Sequence, residues 1–170
     1  MRSLRKTAAS ALIGGILLLC LRVAPAFSDT LSEAMHAYAT ADYAKAFPLF
    51  QELASEPNPE ARFYLGSMMM LGQGTPKDTG KGLVLVRSAA NAGVPEAQYL
   101  MGYFYENGSA VPADPVEALT WYNVAAQHGS LKAEARLGVI APTMAEDEVK
   151  EAADRASNWK PVPLQDLPNP

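Results

Sequence analysis

The sequence is poor in the residues that bind metals or form disulfides. Its 170 residues include one cysteine, Cys20, and two histidines, His36 and His128, which are far apart along the chain. Zinc-type sites need several such ligands at short spacings. We therefore expect no metal and no cofactor. With no paired histidines either, we predict that the protein is not an enzyme and has no catalytic residues.

Long apolar runs are also scarce. One such run, residues 7–21, follows the basic residues Arg2, Arg5 and Lys6 and precedes two small-x-small sequences at residues 24–26 and 26–28. A membrane-spanning helix needs about 20 apolar residues, whereas a shorter run after a basic start is typical of a secretory signal peptide. We predict a signal peptide at residues 1–28 and a periplasmic or secreted protein. Cleavage after residue 26 or 28, and retention of the segment as an anchor, stay open.

Positive charge is in the minority. The chain has 14 basic and 18 acidic residues, and four of the basic ones lie in the predicted signal peptide, so the mature chain would carry a net charge of −8. A surface of this sign repels phosphate groups. We therefore expect no nucleic acid as partner and no membrane after signal removal. The mature chain would contain no cysteine, so its stability depends on a packed core.

The sequence does contain a repeat of 36 residues. Aspartates stand at positions 42, 78 and 114, alanines at 61, 97 and 133, and glycines at 66, 102 and 138. A fixed period over so long a stretch indicates an array of structural repeats. Trp121 and Tyr122 align with large apolar residues in the earlier copies, which predicts packing rather than chemistry. His128 falls at a predicted helix end, where it suits the helix dipole.

Each repeat contains two predicted helices. One begins at Asp42, Asp78 or Asp114, because aspartate is a favoured N-cap residue, and these helices end near residues 55, 92 and 128. The others begin near residues 59, 95 and 131, and the first two of them end near residues 72 and 108. Helices at about residues 30–40 and 145–158 precede and close the array.

These elements predict an all-α fold. We expect a short right-handed α-α solenoid of about three 36-residue helix-pair repeats plus a C-terminal capping helix, spanning residues 29–160. Residues 161–170 form a proline-rich tail that we expect to be extended. Gly66, Gly102 and Gly138 fall inside helices, where glycine is unfavourable. Their recurrence predicts that a neighbouring helix passes too close for a side chain.

The motif resembles the Sel-one-like repeat family, whose members are related to the tetratricopeptide repeats. The likeness covers about residues 40–141, and the resemblance implies an interaction scaffold. Some family members are disulfide-stapled and bind cell-wall or antibiotic-like ligands, and the cysteine-free mature chain departs from them. The residues that carry the likeness are Ala97, Gly102, Tyr105, Gly108, Pro112, Asp114, Ala118, Trp121, Tyr122, Ala125, Ala126 and Gly129.

By this resemblance, the helices that contain the mid-helix glycine line the concave face of the solenoid. In the second copy, Ala97, Met101, Phe104 and Tyr105 fall on one side and should be core. A second stripe should face the groove, where aromatic side chains would anchor a protein or peptide; packing between helices is the other interpretation of its rings. The predicted partner-binding residues are Phe63, Met70, Glu96, Tyr99, Tyr103, Glu106 and Asn107.

The sequence thus favours an exported, non-catalytic protein-protein interaction module or adaptor that binds its partner in the concave groove. Two other hypotheses stay open. One is a cell-wall-directed enzyme, or a binder of glycans or small ligands, on the same scaffold. The other is a structural piece that works as an oligomer, because about three repeats are near the minimum for stability and self-association is plausible.

Overall fold

The computed structural model describes residues 23–167, and this part of the chain forms eight α-helices and no strand. The predicted signal peptide lies mostly outside the described residues. Two short 3-10 turns, Ala141–Thr143 and Leu164–Asp166, accompany the helices. The helices are α1 Val23–Ala39, α2 Tyr43–Ala54, α3 Pro59–Leu71, α4 Thr79–Asn91, α5 Pro95–Asn107, α6 Pro115–Gln127, α7 Leu131–Ile140 and α8 Glu146–Asn158.

The helices stack in sequence as a solenoid, which confirms the predicted fold class. We call the first helix of each pair an A helix; these are α1, α3, α5 and α7. The B helices are α2, α4 and α6. Each of the first three A helices packs against the B helix that follows it, and each B helix also packs against the next A helix. The last helix departs from this rule, because α8 packs mainly against α6.

Each B helix begins at a repeat aspartate. The Oδ1 atoms of Asp42, Asp78 and Asp114 accept hydrogen bonds from backbone N–H groups three residues later, at distances of 3.2, 3.0 and 3.0 Å. These bonds satisfy donors that the first helical turn leaves without an intrahelical partner. The B helices end at residues 54, 91 and 127, within one residue of the prediction.

Substitution of Asp114 tests whether the repeat aspartates stabilise the B helices as N-caps. We expect Asp114→Ala to lower the free energy of unfolding by about 1 kcal/mol, because the N–H of Glu117 loses its acceptor. Asp114→Asn should retain most of the stability, since the amide oxygen can accept the same bond. Urea denaturation followed by circular dichroism measures both, and equal losses in the two variants would contradict the capping role.

The core consists of three clusters that follow the repeat. Phe50, Val86 and Tyr122, which occupy the same repeat position, are all fully buried. Trp121 is half-buried and packs against the middle cluster. The prediction that this pair of aromatic residues packs inside the array is therefore confirmed. The expected core residues Ala97, Met101 and Phe104 are likewise buried, and Tyr105 is half-buried.

The mid-helix glycines meet close neighbours in two of the three copies. A Cβ atom at Gly66 would lie 2.7 Å from the carbonyl oxygen of Gly82, and one at Gly102 would lie 2.7 Å from the Tyr122 ring. The prediction of a close helix approach is confirmed there. It is wrong at Gly138, where nothing lies within 4 Å of the added atom. The third copy lacks the close partner because α8 lies against α6 instead of repeating the tight pairing with α7.

The C-terminal segment returns along the outside of the B helices. Trp159 ends α8, and its ring lies 6.5 Å from the ring of Trp121 and 5.2 Å from that of His128. Farther on, the N–H of Val162 donates to the carbonyl of Asn91 at 2.8 Å, and Leu164 is buried. The described part of the predicted tail is thus held against α4, extended at first and then in a single 3-10 turn.

Candidate functional site

The structure divides the predicted partner-binding stripe into two groups. Glu96, Tyr103 and Asn107 are exposed, and 45% of the Tyr103 surface is accessible. The remaining four residues of the stripe are half-buried and contact other parts of the array. They are Phe63, Met70, Tyr99 and Glu106.

Three of these half-buried side chains pack between repeats. Phe63 and Met70 lie against the middle core cluster, and Met70 also faces the position where Gly82 has no side chain. The ring of Tyr99 lies 5.6 Å from that of Tyr122 in the third cluster. A helix between two neighbours is apolar on more than one side. These contacts correspond to the packing interpretation of the stripe, whereas Tyr103 remains available to a partner.

Glu106 is the centre of a polar cluster that joins three helices. Its Oε2 atom accepts a 2.7 Å hydrogen bond from the Tyr122 hydroxyl and a 2.9 Å bond from Nε of Arg136, while Arg136 Nη2 pairs with Oε1. The residues come from α5, α6 and α7. Both carboxylate oxygens are therefore engaged within the protein.

The charges of this cluster explain its pKa shifts. The hydrogen bonds from Arg136 hold the pKa of the Glu106 carboxyl below its ordinary value, against the opposing effect of burial, and the Tyr122 hydroxyl adds to the lowering. Burial, with the nearby Glu106 carboxylate, raises the pKa of Tyr122. An ionised glutamate with three donors around it neither supplies a proton nor accepts one readily. The arrangement ties neighbouring repeats together.

An exposed apolar row runs across the A helices. Among the described side chains, each A helix carries a large apolar residue that is more than two-fifths exposed: Met35, Leu71, Tyr103 and Val139. Met35 and Leu71 occupy one repeat position, and Tyr103 and Val139 occupy another. The two positions are four residues apart and therefore lie on the same face of a helix. We call the side of the molecule that these four residues share the A-helix face. Sequence reasoning did not include Met35 and Leu71, although their 36-residue spacing was visible.

Outside this face, His128 and Gln98 are engaged in hydrogen bonds within the protein. Nδ1 of His128 lies 2.8 Å from Oε1 of the buried Gln98, whose amide nitrogen donates to the carbonyl of Ala90. The backbone N–H of His128 caps α6, as expected for a residue at a helix end. Within residues 23–167, no group of three or more histidine, cysteine or carboxylate side chains is placed to hold a metal ion. Nor does any helix in that range have the length and apolar character to cross a bilayer.

Two Ser-x-x-Lys spacings escaped the sequence analysis: Ser3 to Lys6, which lies outside the described residues, and Ser157 to Lys160. In enzymes that use this motif, serine is the nucleophile. Here the Ser157 hydroxyl is exposed and donates to the carbonyl of Asp154 at 2.9 Å. Trp159 already has an extended backbone, so Lys160 lies beyond the end of α8. The spacing therefore does not place the two side chains on one helix.

Comparison with known protein families gives two adjacent matches to the Sel1 repeat, at residues 59–94 and 95–130. Each match spans one A helix and the B helix after it, α3 with α4 and α5 with α6. Residues 59–130 of this chain are therefore two Sel1-like repeats. Sel1 repeats generally mediate protein–protein interactions, and their fold is typically a non-catalytic scaffold.

Two solved structures share the fold of this chain. A Sel1 repeat protein from Oxalobacter formigenes is 29% identical with a TM-score of 0.64, and the match covers 76% of this chain and 55% of that one. The protective antigen c5321 of uropathogenic Escherichia coli, which displays an SLR fold, is 20% identical with a TM-score of 0.70, covering 78% and 29%. The chain thus spans little more than half of one structure and under a third of the other. No curated protein matches it.

Proposed function

We propose that this Sel1-like repeat protein is an exported, non-catalytic adaptor that binds a protein or peptide partner on its A-helix face. The observation that carries the proposal is the row of exposed apolar side chains, at least one on each A helix. Isolated exposed apolar residues are ordinary on protein surfaces. Recurrence at the repeat spacing is different, because it produces a continuous line across the array that a partner chain could follow.

The chemistry of the face suits a protein partner. Tyrosine brings a large contact area together with a hydroxyl and is enriched where binding energy concentrates. Tyr103 lies in the third A helix, and the A helices before and after it carry the exposed apolar residues Leu71 and Val139. The exposed Glu96 and Asn107 of the same helix would border the apolar contact. Export rests on the predicted signal peptide, which places the partner in the periplasm or outside the cell.

Substitution on the A-helix face tests this function. We expect Tyr103→Ala combined with Val139→Ala to weaken partner binding by at least about tenfold, because central apolar and aromatic anchors carry most of an interface's energy. The partner would first be identified by crosslinking with the purified chain as bait in the host's exported fraction. Its affinity for each variant would then be measured by surface plasmon resonance.

The control is Val162→Ala, which removes an exposed valine side chain from the C-terminal segment, away from the A-helix face. It should leave the affinity unchanged if the partner uses the A-helix face. Equal affinities of the parent and the Tyr103→Ala/Val139→Ala variant would refute the proposal. Light scattering on the same samples shows whether the captured partner is a second copy of the chain, which is the self-association hypothesis.

A further inference from the structure

A second surface is an open apolar groove between α2 and α4, with Leu65 and Met69 of α3 also in its lining. It has a volume of about 460 Å³. We call it the α2–α4 groove, and the residues that matter to the argument are Phe47, Gln51 and Ser55 from α2 and Lys81, Val84 and Leu85 from α4. Val84 is 48% exposed.

The 36-residue repeat identifies an equivalent groove one copy later, between α4 and α6. Shifting Phe47, Gln51 and Ser55 by one repeat gives Leu83, Arg87 and Asn91. Shifting Lys81 and Leu85 gives Glu117 and Trp121. The two grooves are therefore lined by equivalent repeat positions of equivalent helices. The chemistry of the segment in the α4–α6 groove thus indicates what the α2–α4 groove could bind.

The C-terminal segment of the chain occupies the α4–α6 groove. The Trp159 ring lies 6.5 Å from the Trp121 ring, and the N–H of Val162 donates to the carbonyl of Asn91. Leu167 lines a hollow together with Leu83 and Arg87. At the α6 end, Arg155 pairs with Glu117 at 2.5 Å. Three positions that line the open groove thus have counterparts in contact with residues 155–167, and two more have counterparts that share a hollow with Leu167.

The bound segment shows which chemistry suits such a groove. Residues 159–167 read WKPVPLQDL, with an aromatic ring at one end and aliphatic side chains along the length. Two prolines keep the middle extended and remove backbone donors that would otherwise need partners. An extended proline-containing peptide loses little conformational freedom on binding and presents its side chains to an apolar groove.

The charge at one end is reversed between the two grooves. In the α4–α6 groove, Glu117 pairs with the guanidinium of Arg155. The equivalent residue in the α2–α4 groove is Lys81. The ammonium group of Lys81 lies 3.4 Å from Asp78 and three-quarters of its side chain is exposed. A ligand for the open groove would therefore carry an acidic residue where the chain's own segment carries arginine.

We propose that the α2–α4 groove binds an extended, proline-containing aliphatic peptide of a partner protein, with an acidic residue paired to Lys81. This site is separate from the A-helix face and does not depend on it. The chain would then contain one groove that its own C-terminal segment occupies and one matching groove that accepts a similar segment from outside.

Two matched peptides test the proposal against the purified chain. One has the sequence of residues 155–167, RASNWKPVPLQDL, and the other carries Arg155→Glu. Each is labelled, and binding is followed by fluorescence anisotropy. We expect the Arg155→Glu peptide to bind with a dissociation constant on the order of 100 µM, since few anchors offset the cost of ordering a short peptide. We expect it to bind about two- to fivefold more tightly than the unaltered peptide, as one surface ion pair allows.

Two variants of the chain locate the site. Lys81→Glu should reverse the preference between the two peptides. Val84→Asp should weaken both by at least about tenfold, because a carboxylate would be buried against aliphatic side chains. Val139→Asp, the same change on the A-helix face, should have no effect. Amide chemical shifts should move at residues 47–55 and 81–85.

Several outcomes would overturn the proposal. One is the absence of saturable binding up to about 1 mM peptide, the limit of weak specific association. Another is a set of shifts centred on Asn91 and Trp121, which would mean that the peptide merely displaces the chain's own segment. An unchanged peptide preference in Lys81→Glu, or equal effects of Val84→Asp and Val139→Asp, would also exclude the α2–α4 groove. None of these results bears on the Tyr103 test.

Discussion

Gly66→Ala is expected to lower the free energy of unfolding by about 3 kcal/mol, the upper part of the range for overpacking. The added Cβ would lie 2.7 Å from the carbonyl oxygen of Gly82, 2.8 Å from Cβ of Leu85 and 3.0 Å from the N of Val86. Two of these three atoms are backbone atoms of α4. The steric clash with the added Cβ can therefore be relieved only if α3 and α4 move apart. Separation would also loosen the apolar contacts between the two helices.

Gly138→Ala is the matched control and is expected to have the opposite sign. The residue occupies the same repeat position in α7, but nothing lies within 4 Å of its added Cβ. Alanine restricts the unfolded chain and favours the helix, so we expect a gain of about 0.5–1 kcal/mol. Gly102→Ala should fall between the two, because the ring of Tyr122 that it meets can shift further than a backbone atom.

Urea denaturation of the three glycine variants measures these differences. A destabilised Gly138→Ala variant would mean that α7 has a close neighbour that the structure does not show. A neutral Gly66→Ala variant would mean that α3 and α4 separate at little cost, and the explanation of the repeated glycine would then be wrong at the position where it is strongest.

Glu106→Gln is expected to lower the free energy of unfolding by about 2 kcal/mol at neutral pH. The carboxylate accepts hydrogen bonds from Tyr122 and from two nitrogens of Arg136, and bonds to a charged group contribute more than neutral ones. Glutamine keeps the shape of the side chain but removes its charge. It also replaces one acceptor oxygen by an NH₂ group that faces a donor.

The loss of stability caused by Glu106→Gln should become smaller as the pH falls. The pKa of Glu106 is lower in the folded chain than its ordinary value, because Arg136 stabilises the ionised form. The unfolded chain therefore takes up this proton first as the pH falls. The stability advantage of the parent over Glu106→Gln is fully present above the ordinary glutamate pKa and declines as the pH falls through the folded-state pKa.

The control for this experiment is Glu96→Gln, an exposed glutamate on the same helix. It should change stability little, because an exposed carboxylate is well solvated in both states. Unfolding curves between neutral pH and the acid limb of stability compare the two variants. A difference between the parent and Glu106→Gln that stays constant down to acid pH would show that the Glu106 charge does not stabilise the fold.

Some elements were predictable because their signals are local. The aspartate N-caps at 42, 78 and 114 act on N–H groups three residues away, so sequence alone located the starts of the B helices. The 36-residue period then determined how the helices alternate. It also indicated that Tyr122, which shares its position with Phe50 and Val86, belongs to the core.

Other features depend on which side of a helix meets a neighbour. Tyr99 and Tyr103 are four residues apart and lie on the same face of α5, yet Tyr99 packs against Tyr122 while Tyr103 is exposed. A helical repeat pattern cannot separate them, since the boundary between buried and exposed depends on where α6 lies. The role of Glu106 escaped the sequence analysis for a similar reason, because Arg136 is 30 residues away and reaches it only in the folded chain.

The sequence by itself determined the solenoid, its repeat length, most of its helix boundaries and most of its core, because caps and periodic apolar positions act over a few residues. The first helix is an exception, since it begins at Val23 and not near residue 30. Only the tertiary structure decided that α8 lies on α6, that Gly138 has no close neighbour, and that residues 159–167 occupy one B-helix groove while the matching groove stays open. These features arise where the repeat is broken at its C-terminal end. There the packing of α8 and the tail depends on the shape of the whole array rather than on the pattern within one repeat.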